Sequence, residues 1–201
     1  MLHRTNDPKK LWVRKPPKRK RYPAERIASF IDRLDLGGPR FSAENEAALL
    51  GGIAQLEPAT RGVHYRVFLI LALETAASQA ELSGSLWTDF DLDRKIWTVR
   101  GKLGLREVPL TPKAMSSLRE IKGWAEPARP KLFGAIGDNV VIGRQLQAIA
   151  RRVGLVDYGY MDLRHEAVCR MVERRATTSI EDLIMQVGAY RTQPPVAPMW
   201  K

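Results

Sequence analysis

The part of the chain that decides the fold is the stretch LALETAASQAEL at positions 71–82, followed at 86–92 by LWTDFDL. The first of these residues belong to a near-continuous apolar run, 67–73, which predicts a helix over 63–74 that is buried on most sides. A further helical turn is predicted at 79–83, before the chain enters the second segment. The centre of the predicted domain is therefore a buried helix, a sharp turn and a second, short helix.

Beyond this centre the pattern changes to that of a β-hairpin. Residues 95–100 read as a strand, 101–104 as a turn and 106–110 as a returning strand. Other helices are predicted at 27–36, 42–55, 111–121, 140–153, 163–174 and 179–187. The expected fold class is thus mainly α with a small β-hairpin or sheet (α+β).

Positive charge is concentrated at the N-terminus. The chain of 201 residues has a formal net charge of +11, and residues 1–26 hold ten Lys or Arg against two acidic residues, which gives +8 of that total. Four prolines in the same segment favour an extended or disordered arm that can neutralise phosphates; a solubilising or targeting tail is the alternative. The cations predicted to contact DNA are Arg164 and Lys102 in the domain and, in the arm, Arg14, Lys15, Lys18, Arg19, Lys20 and Arg21.

Several protein classes are excluded by composition. No apolar run approaches the length of a membrane span, and the N-terminus lacks the features of a signal peptide, so a cytoplasmic protein without a membrane partner is expected. Its expected association with DNA rests on the basic arm. The single cysteine, Cys169, cannot form an internal disulfide and has no Cys or His neighbours at metal-ligand spacing. Neither a metal nor another cofactor is predicted.

Three motifs resemble those of the tyrosine recombinases, the phage integrase family. The stretch 71–92 resembles the family's first catalytic box, roughly L-x-T-G/A-x-R-x-x-E-L and then L-x-W-x-D-I-D. Val-Pro-Leu at 108–110, behind a Lys-bearing turn, resembles its β-hairpin, and DLRHEA at 162–167 resembles the second box, H-x-L-R-H. The resemblance covers about 41–190 and implies the catalytic-domain fold alone, DNA as partner, and a bacterial or phage origin.

The family joins DNA strands through a phosphotyrosyl intermediate, which requires arginines around one phosphate, a proton donor and acceptor, and a tyrosine. By resemblance, Ser78 stands where the first arginine belongs, Met161 where the histidine of the second box belongs, and Ala189 where a Gly-His motif is expected. The nucleophile should fall near 198–199, where there is no tyrosine. Tyr190 is the only tyrosine in that region and comes too early in the motif.

Other family positions are retained. Arg164 stands at the second arginine position, Glu81 is present, and Lys102 lies in the hairpin turn, one residue beyond the expected position at Gly101. An ion pair with Glu81 or Asp162 inside the fold explains Arg164 as well as phosphate binding does. An arginine from another element beside Arg164, with a tyrosine hydroxyl directed at it, would contradict a loss of catalysis.

The predicted organisation is a basic arm at 1–26, an integrase-like domain at 27–190 and a Pro-rich tail at 191–201. The leading hypothesis is a non-catalytic or weakly catalytic protein that binds double-stranded DNA and regulates transcription or recombination, as a homo-oligomer or with a partner recombinase. One alternative is a functional site-specific recombinase with an atypical active site. A second alternative is a protein-interaction module.

Overall fold

A computed structural model describes residues 40–101, 104–123, 130–174 and 180–187. Its helices are α1 (Ala43–Ala54), α2 (Ala59–Thr75), α3 (Gln79–Ser83), α4 (Pro112–Lys122), α5 (Asn139–Arg152), α6 (Tyr160–Glu173) and α7 (Ile180–Val187). Its strands are β1 (Phe90–Asp91), β2 (Ile96–Gly101) and β3 (Gly104–Pro109), and short 3-10 turns cover Trp87–Asp89 and Gly134–Ile136. The arm, the predicted helix 27–36 and the tail lie outside these ranges. Within them, no helix is both long and apolar enough to cross a membrane.

Helix α2 is the centre of the core, as its apolar run predicts. It contacts α1, α4 and α6, and every residue from Val67 to Thr75 is buried. Phe68 packs edge-on against Phe133, with ring centroids 4.9 Å apart. The helix begins at Ala59, four residues before the predicted start, with Pro58 in extended conformation as its N-cap. A proline is tolerated at this place because its missing N–H would have no partner within the helix.

The predicted hairpin is confirmed, and a third strand extends it. Strands β2 and β3 pair antiparallel from Ile96–Pro109 to Gly101–Gly104. The added strand β1 has only two residues, and Phe90 in it pairs with Trp97 and stacks on that ring at 5.3 Å. A strand of two residues is too short to show an alternating pattern in the sequence. Its position depends instead on the stacked aromatic pair.

Helix α6 begins at Tyr160, three residues before its predicted start. The carboxylate of Asp162 accepts a hydrogen bond from the Gly159 backbone N–H at 2.7 Å, which satisfies one of the free donors at that end. The whole of the predicted second box therefore lies on one helix.

An ion-pair network fixes the position of α6 against α1. The Glu166 carboxylate accepts from Arg40 Nε at 2.5 Å and from Arg170 Nε at 2.8 Å, and Arg170 Nη2 also donates to Glu46 in α1. Glu166 is nearly buried, with 6% of its side chain exposed. Arg164 lies on the same helix, two residues before Glu166, so the network holds in place the helix that carries Arg164.

Candidate functional site

Ser78 caps a helix at the place where the resemblance predicts an arginine. Ala76 ends α2 in the left-handed conformation, with φ 51°, and the chain turns directly into α3. Ser78 Oγ accepts from the Glu81 backbone N–H at 3.3 Å, and Glu81 Oε2 accepts from the Ser78 backbone N–H at 2.8 Å. This reciprocal capping box satisfies two free donors of α3 and brings no positive charge to the site.

Replacing Ser78 with alanine is expected to lower the free energy of unfolding by about 1 kcal/mol, because the Glu81 N–H loses its acceptor. The measurement is urea denaturation monitored by circular dichroism. Ser116, exposed within α4, is the matched control: its change to alanine is expected to be neutral or slightly stabilising, because alanine has the higher helix propensity. Equal losses in the two variants would contradict the capping role.

Arg106 of β3 forms a bidentate ion pair with Glu81. Its Nη1 lies 2.5 Å from Glu81 Oε1 and its Nη2 lies 2.9 Å from Oε2. Only 10% of the Arg106 side chain and 13% of the Glu81 side chain are exposed. Burial acts to raise the pKa of Glu81, but the hydrogen bonds from Arg106 and from the Ser78 backbone outweigh it, and this pKa lies below its ordinary value. Glu81 is therefore an ionised carboxylate that accepts hydrogen bonds on both of its oxygens.

Arg106 is the functional residue that the sequence analysis missed. It precedes Val108 and Leu110 by two and four residues, and both of these are buried. Alternate residues of a strand face the same side, so an arginine in that register points inward. This charged residue on an apolar strand face is the signal that could have identified it.

Arg164 lies in the same site and binds the end of α7. Its Nη2 donates to the Val187 carbonyl at 2.8 Å, and Arg106 Nε donates to the Gln186 carbonyl at 3.0 Å. The last carbonyls of a helix have no partner within it and carry the negative end of its dipole. Burial lowers the pKa of Arg164, an effect that the neighbouring Glu81 opposes. Both guanidinium groups thus bind the protein itself.

The pairing expected for Arg164 differs from the hydrogen bonds observed. The Glu81 carboxylate is bound on both oxygens by Arg106, and Asp162 caps its own helix, so the hydrogen bond described for Arg164 goes to Val187. The sequence predicted a pairing of Arg164 with Glu81 without considering Arg106. Arg106 binds Glu81 in place of Arg164 because the sheet packs against α3, and this packing cannot be predicted from a local pattern.

Met161 stands where the resemblance predicts the histidine of the second box, and the nearby His165 and Tyr160 side chains contact other groups of the protein. Met161 is 68% exposed and presents a thioether, which cannot transfer protons. His165 lies one turn from Cys169 on α6, with Nε2 at 3.6 Å from Sγ. The Tyr160 hydroxyl donates to the Ala77 carbonyl at 2.8 Å, and burial raises its pKa well above the ordinary value. A phenol in this state is a poor nucleophile.

The remaining predicted site residues lie outside the described ranges. These are Lys102, Ala189, Tyr190 and the arm cations Arg14, Lys15, Lys18, Arg19, Lys20 and Arg21. In the part of the chain that is described, no cluster of His, Cys, Asp and Glu could hold a metal ion.

The described part of the chain is a helical domain with a small antiparallel sheet, in which Arg106 pairs with Glu81 and Arg164 binds the end of α7 beside them, and solved structures of this architecture are tyrosine recombinases. The chain matches XerA recombinase with a TM-score of 0.61 and 17% identity, over 77% of this chain and 57% of that one. It matches the lambda integrase catalytic core with a TM-score of 0.57 and 14% identity, over 78% of this chain and 94% of that one.

A third match is the lambda integrase tetramer bound to a Holliday junction, with a TM-score of 0.57 and 16% identity, over 81% of this chain and 48% of that one. The chain thus spans a little over half the length of XerA and about half that of the tetrameric integrase. No protein-family profile and no curated protein matches the sequence significantly. The chain has the fold of a tyrosine recombinase catalytic domain.

Proposed function

We propose that this protein binds double-stranded DNA through its recombinase fold and does not form a covalent bond to it. The observation that carries the proposal is that the site's two arginines bind the protein itself: Arg106 pairs with Glu81, and both arginines bind the C-terminal carbonyls of α7. A phosphate would have to displace these partners. Ser78, at the first arginine position, cannot replace the missing charge.

Binding to DNA is supported by the fold and by charge. Of the structures that this chain resembles, that of the Tn1549 transposon integrase is a complex with circular intermediate DNA, and that of XerH site-specific recombinase is a pre-cleavage complex with its difH substrate. The net charge of +11 also favours a polyanionic partner. We further propose that residues 27–190 form the DNA-binding domain, that 1–26 act as a basic arm and 191–201 as a tail, and that the protein regulates transcription or recombination inside the cell.

An assembly is also proposed. The matched lambda integrase structure is a tetramer, and a homo-oligomer or a complex with an active recombinase would place several such domains on one DNA. Light scattering with and without duplex DNA tests this directly.

The test of the main proposal uses a labelled duplex and a nicked suicide duplex of the same sequence. We expect a mobility shift that weakens steeply as salt rises, because phosphate contacts release counterions. We expect no covalent adduct on a denaturing gel. Absence of a shift at low salt would contradict DNA binding, and an adduct would contradict the loss of catalysis.

One observation favours a second candidate, a recombinase with an atypical active site. Arg106 is a second guanidinium close to Arg164, since the two bind adjacent carbonyls at the end of α7, while the nearby Tyr160 hydroxyl is directed at the Ala77 carbonyl. This arrangement supplies two of the donors that a scissile phosphate requires. An adduct that disappears in Tyr160→Phe or in Tyr190→Phe, but persists in the other variant, would support this candidate and identify the nucleophile.

A further inference from the structure

A cleft between α3 and α5 has the size of one six-membered ring. Its volume is about 170 Å³, close to that of a cavity of roughly 150 Å³ known to hold benzene. The residues that line it are Gln79, Gly143, Leu146, Gln147, Tyr158 and Tyr160. Aromatic and apolar side chains with two carboxamides give it flat surfaces together with hydrogen-bonding groups, which is the composition of a small-molecule site.

The floor of this α3–α5 cleft is held in place. Gly143 has no side chain, so the Gln79 carboxamide lies directly against α5; a Cβ at Gly143 would come within 2.6 Å of Gln79 Nε2. That Nε2 donates to the Asn139 carbonyl, and the Tyr160 hydroxyl donates to the Ala77 carbonyl. One hydrogen of Nε2 is used in this bond, so Gln79 is left with its carbonyl oxygen as an acceptor and the second Nε2 hydrogen as a donor for a ligand.

Tyr158 provides a second, independent observation. Only 9% of this residue is exposed, and its buried hydroxyl has no hydrogen-bond partner among the described residues. A buried hydroxyl without a partner costs free energy. The Tyr65 hydroxyl in the core is in the same state, but Tyr158 also lines the cleft. A ligand in the cleft would supply the missing partner.

Positive charge flanks the cleft on α5. Arg144 precedes Gln147 by three residues and Arg151 follows it by four, which places both on the same side of the helix, and both are exposed. Asp162 acts electrostatically on Tyr158 and Glu81 on Tyr160, so an anionic group on the ring of a ligand is favoured on the α5 side, where the two arginines are. A pyrimidine nucleotide combines a single six-membered ring, donors and acceptors on its edge, and a phosphate.

We infer that the α3–α5 cleft binds one pyrimidine base together with its phosphate. The base comes either from DNA, as a nucleotide that has left the stack, or from a free nucleotide; the DNA source rests on the proposed function. Taking a base out of a duplex costs least where the base is already unpaired. The cleft therefore favours duplexes that contain an unpaired pyrimidine over fully paired ones.

The experiment uses the full chain in two arms. In the first, affinity is compared between a duplex with one extra unpaired cytosine, the same duplex with an unpaired adenine, and the fully paired duplex. In the second, equilibrium dialysis measures retention of free deoxycytidine monophosphate and deoxyadenosine monophosphate. We expect the unpaired cytosine to strengthen binding by about tenfold, as for one or two hydrogen bonds to buried groups, and the cytidine nucleotide to be retained more than the adenosine nucleotide.

Two variants and two matched controls test the cleft itself. Tyr158→Phe removes the free hydroxyl, and Gly143→Ala displaces the Gln79 carboxamide; each is expected to abolish the preference for unpaired cytosine. Tyr65→Phe removes another buried tyrosine hydroxyl, from α2, and Gly51→Ala adds a methyl group in α1 where no atom lies within 4 Å. Both controls are expected to keep the preference.

The outcomes separate this inference from the proposed function. Retention of the free cytidine nucleotide without a preference among duplexes supports the cleft with the free nucleotide as its source. Tyr158-dependent retention with no duplex bound at all also supports the cleft and removes the DNA proposal. Binding of paired duplex with neither a cytosine preference nor nucleotide retention overturns the inference and leaves the proposed function standing. Equal loss in Tyr65→Phe overturns it as well.

Discussion

Replacing Arg106 with alanine is expected to lower the free energy of unfolding by about 3 kcal/mol, since it leaves the nearly buried Glu81 carboxylate without its charged partner. Urea denaturation at neutral pH measures this loss, and an unchanged m-value shows that the same surface is exposed on unfolding. A double variant in which Glu81 is also alanine is expected to lose less than the sum of the two single variants, because the uncompensated charge is absent.

The matched control is Arg94→Ala. Arg94 lies 4.0 Å from Glu107 at the surface of the same sheet, with both side chains more than half exposed. Such a pair contributes about 0.5 kcal/mol or less. A loss for Arg106→Ala as small as that for Arg94→Ala would show that Glu81 is hydrated and that the site is open to solvent.

The Arg106 effect also depends on pH in a defined direction. The pKa of Glu81 is lower in the folded protein than its ordinary value, so the ion pair stabilises the fold above the unfolded pKa of about 4.3 and is lost as pH falls through the folded value. The difference in stability between the native protein and Arg106→Ala is therefore expected to be large at pH 7 and to shrink below about pH 4. A difference that stays constant with pH would contradict an ionised Glu81.

Changing Lys18, Arg19, Lys20 and Arg21 together to glutamine is expected to weaken binding to duplex DNA by about a hundredfold near 0.1 M salt. Each phosphate contact contributes roughly 0.9 to the slope of log affinity against log salt, so the slope is expected to become shallower by about three to four. Fluorescence anisotropy over a series of salt concentrations measures both quantities.

The control for this change is Arg119→Gln with Lys122→Gln. Both residues are exposed on α4, within the folded domain. We expect the salt slope to change little in this variant. A loss per charge equal to that of the arm variant would mean that general positive charge, and not the arm, determines the affinity.

The order of the elements could be predicted from the sequence because it depends on local patterns. The apolar run at 67–73 predicts the buried helix α2, and Thr111 followed by Pro112 predicts the start of α4, where Thr111 accepts from the Ala114 N–H. Within the described residues, the predicted and observed elements differ at their ends: α6 starts at Tyr160, three residues early, because Asp162 caps the helix there. Strand β1 was not predicted, because two residues are too few to show a pattern. Caps and stacked pairs act over few residues and leave weak signals.

The candidate site was predictable only as a set of residue types. That Ser78 and Met161 cannot replace an arginine and a histidine follows from their chemistry and needs no coordinates. The inward direction of Arg106 could have been predicted from the alternation with Val108 and Leu110, but its pairing with Glu81, 25 residues away along the chain, could not.

By itself, the sequence determined which chemical groups this protein has: the helical and strand patterns that resemble a recombinase catalytic domain, the cationic N-terminus, and the absence of charge at Ser78. Only the tertiary structure decided what those groups bind. A guanidinium can donate to several acceptors, and the binding of Glu81 and the Gln186 carbonyl by Arg106 depends on how distant elements pack. The same holds for the Tyr158 hydroxyl, which has no partner among the described residues. That information is carried by long-range packing, which no local pattern contains.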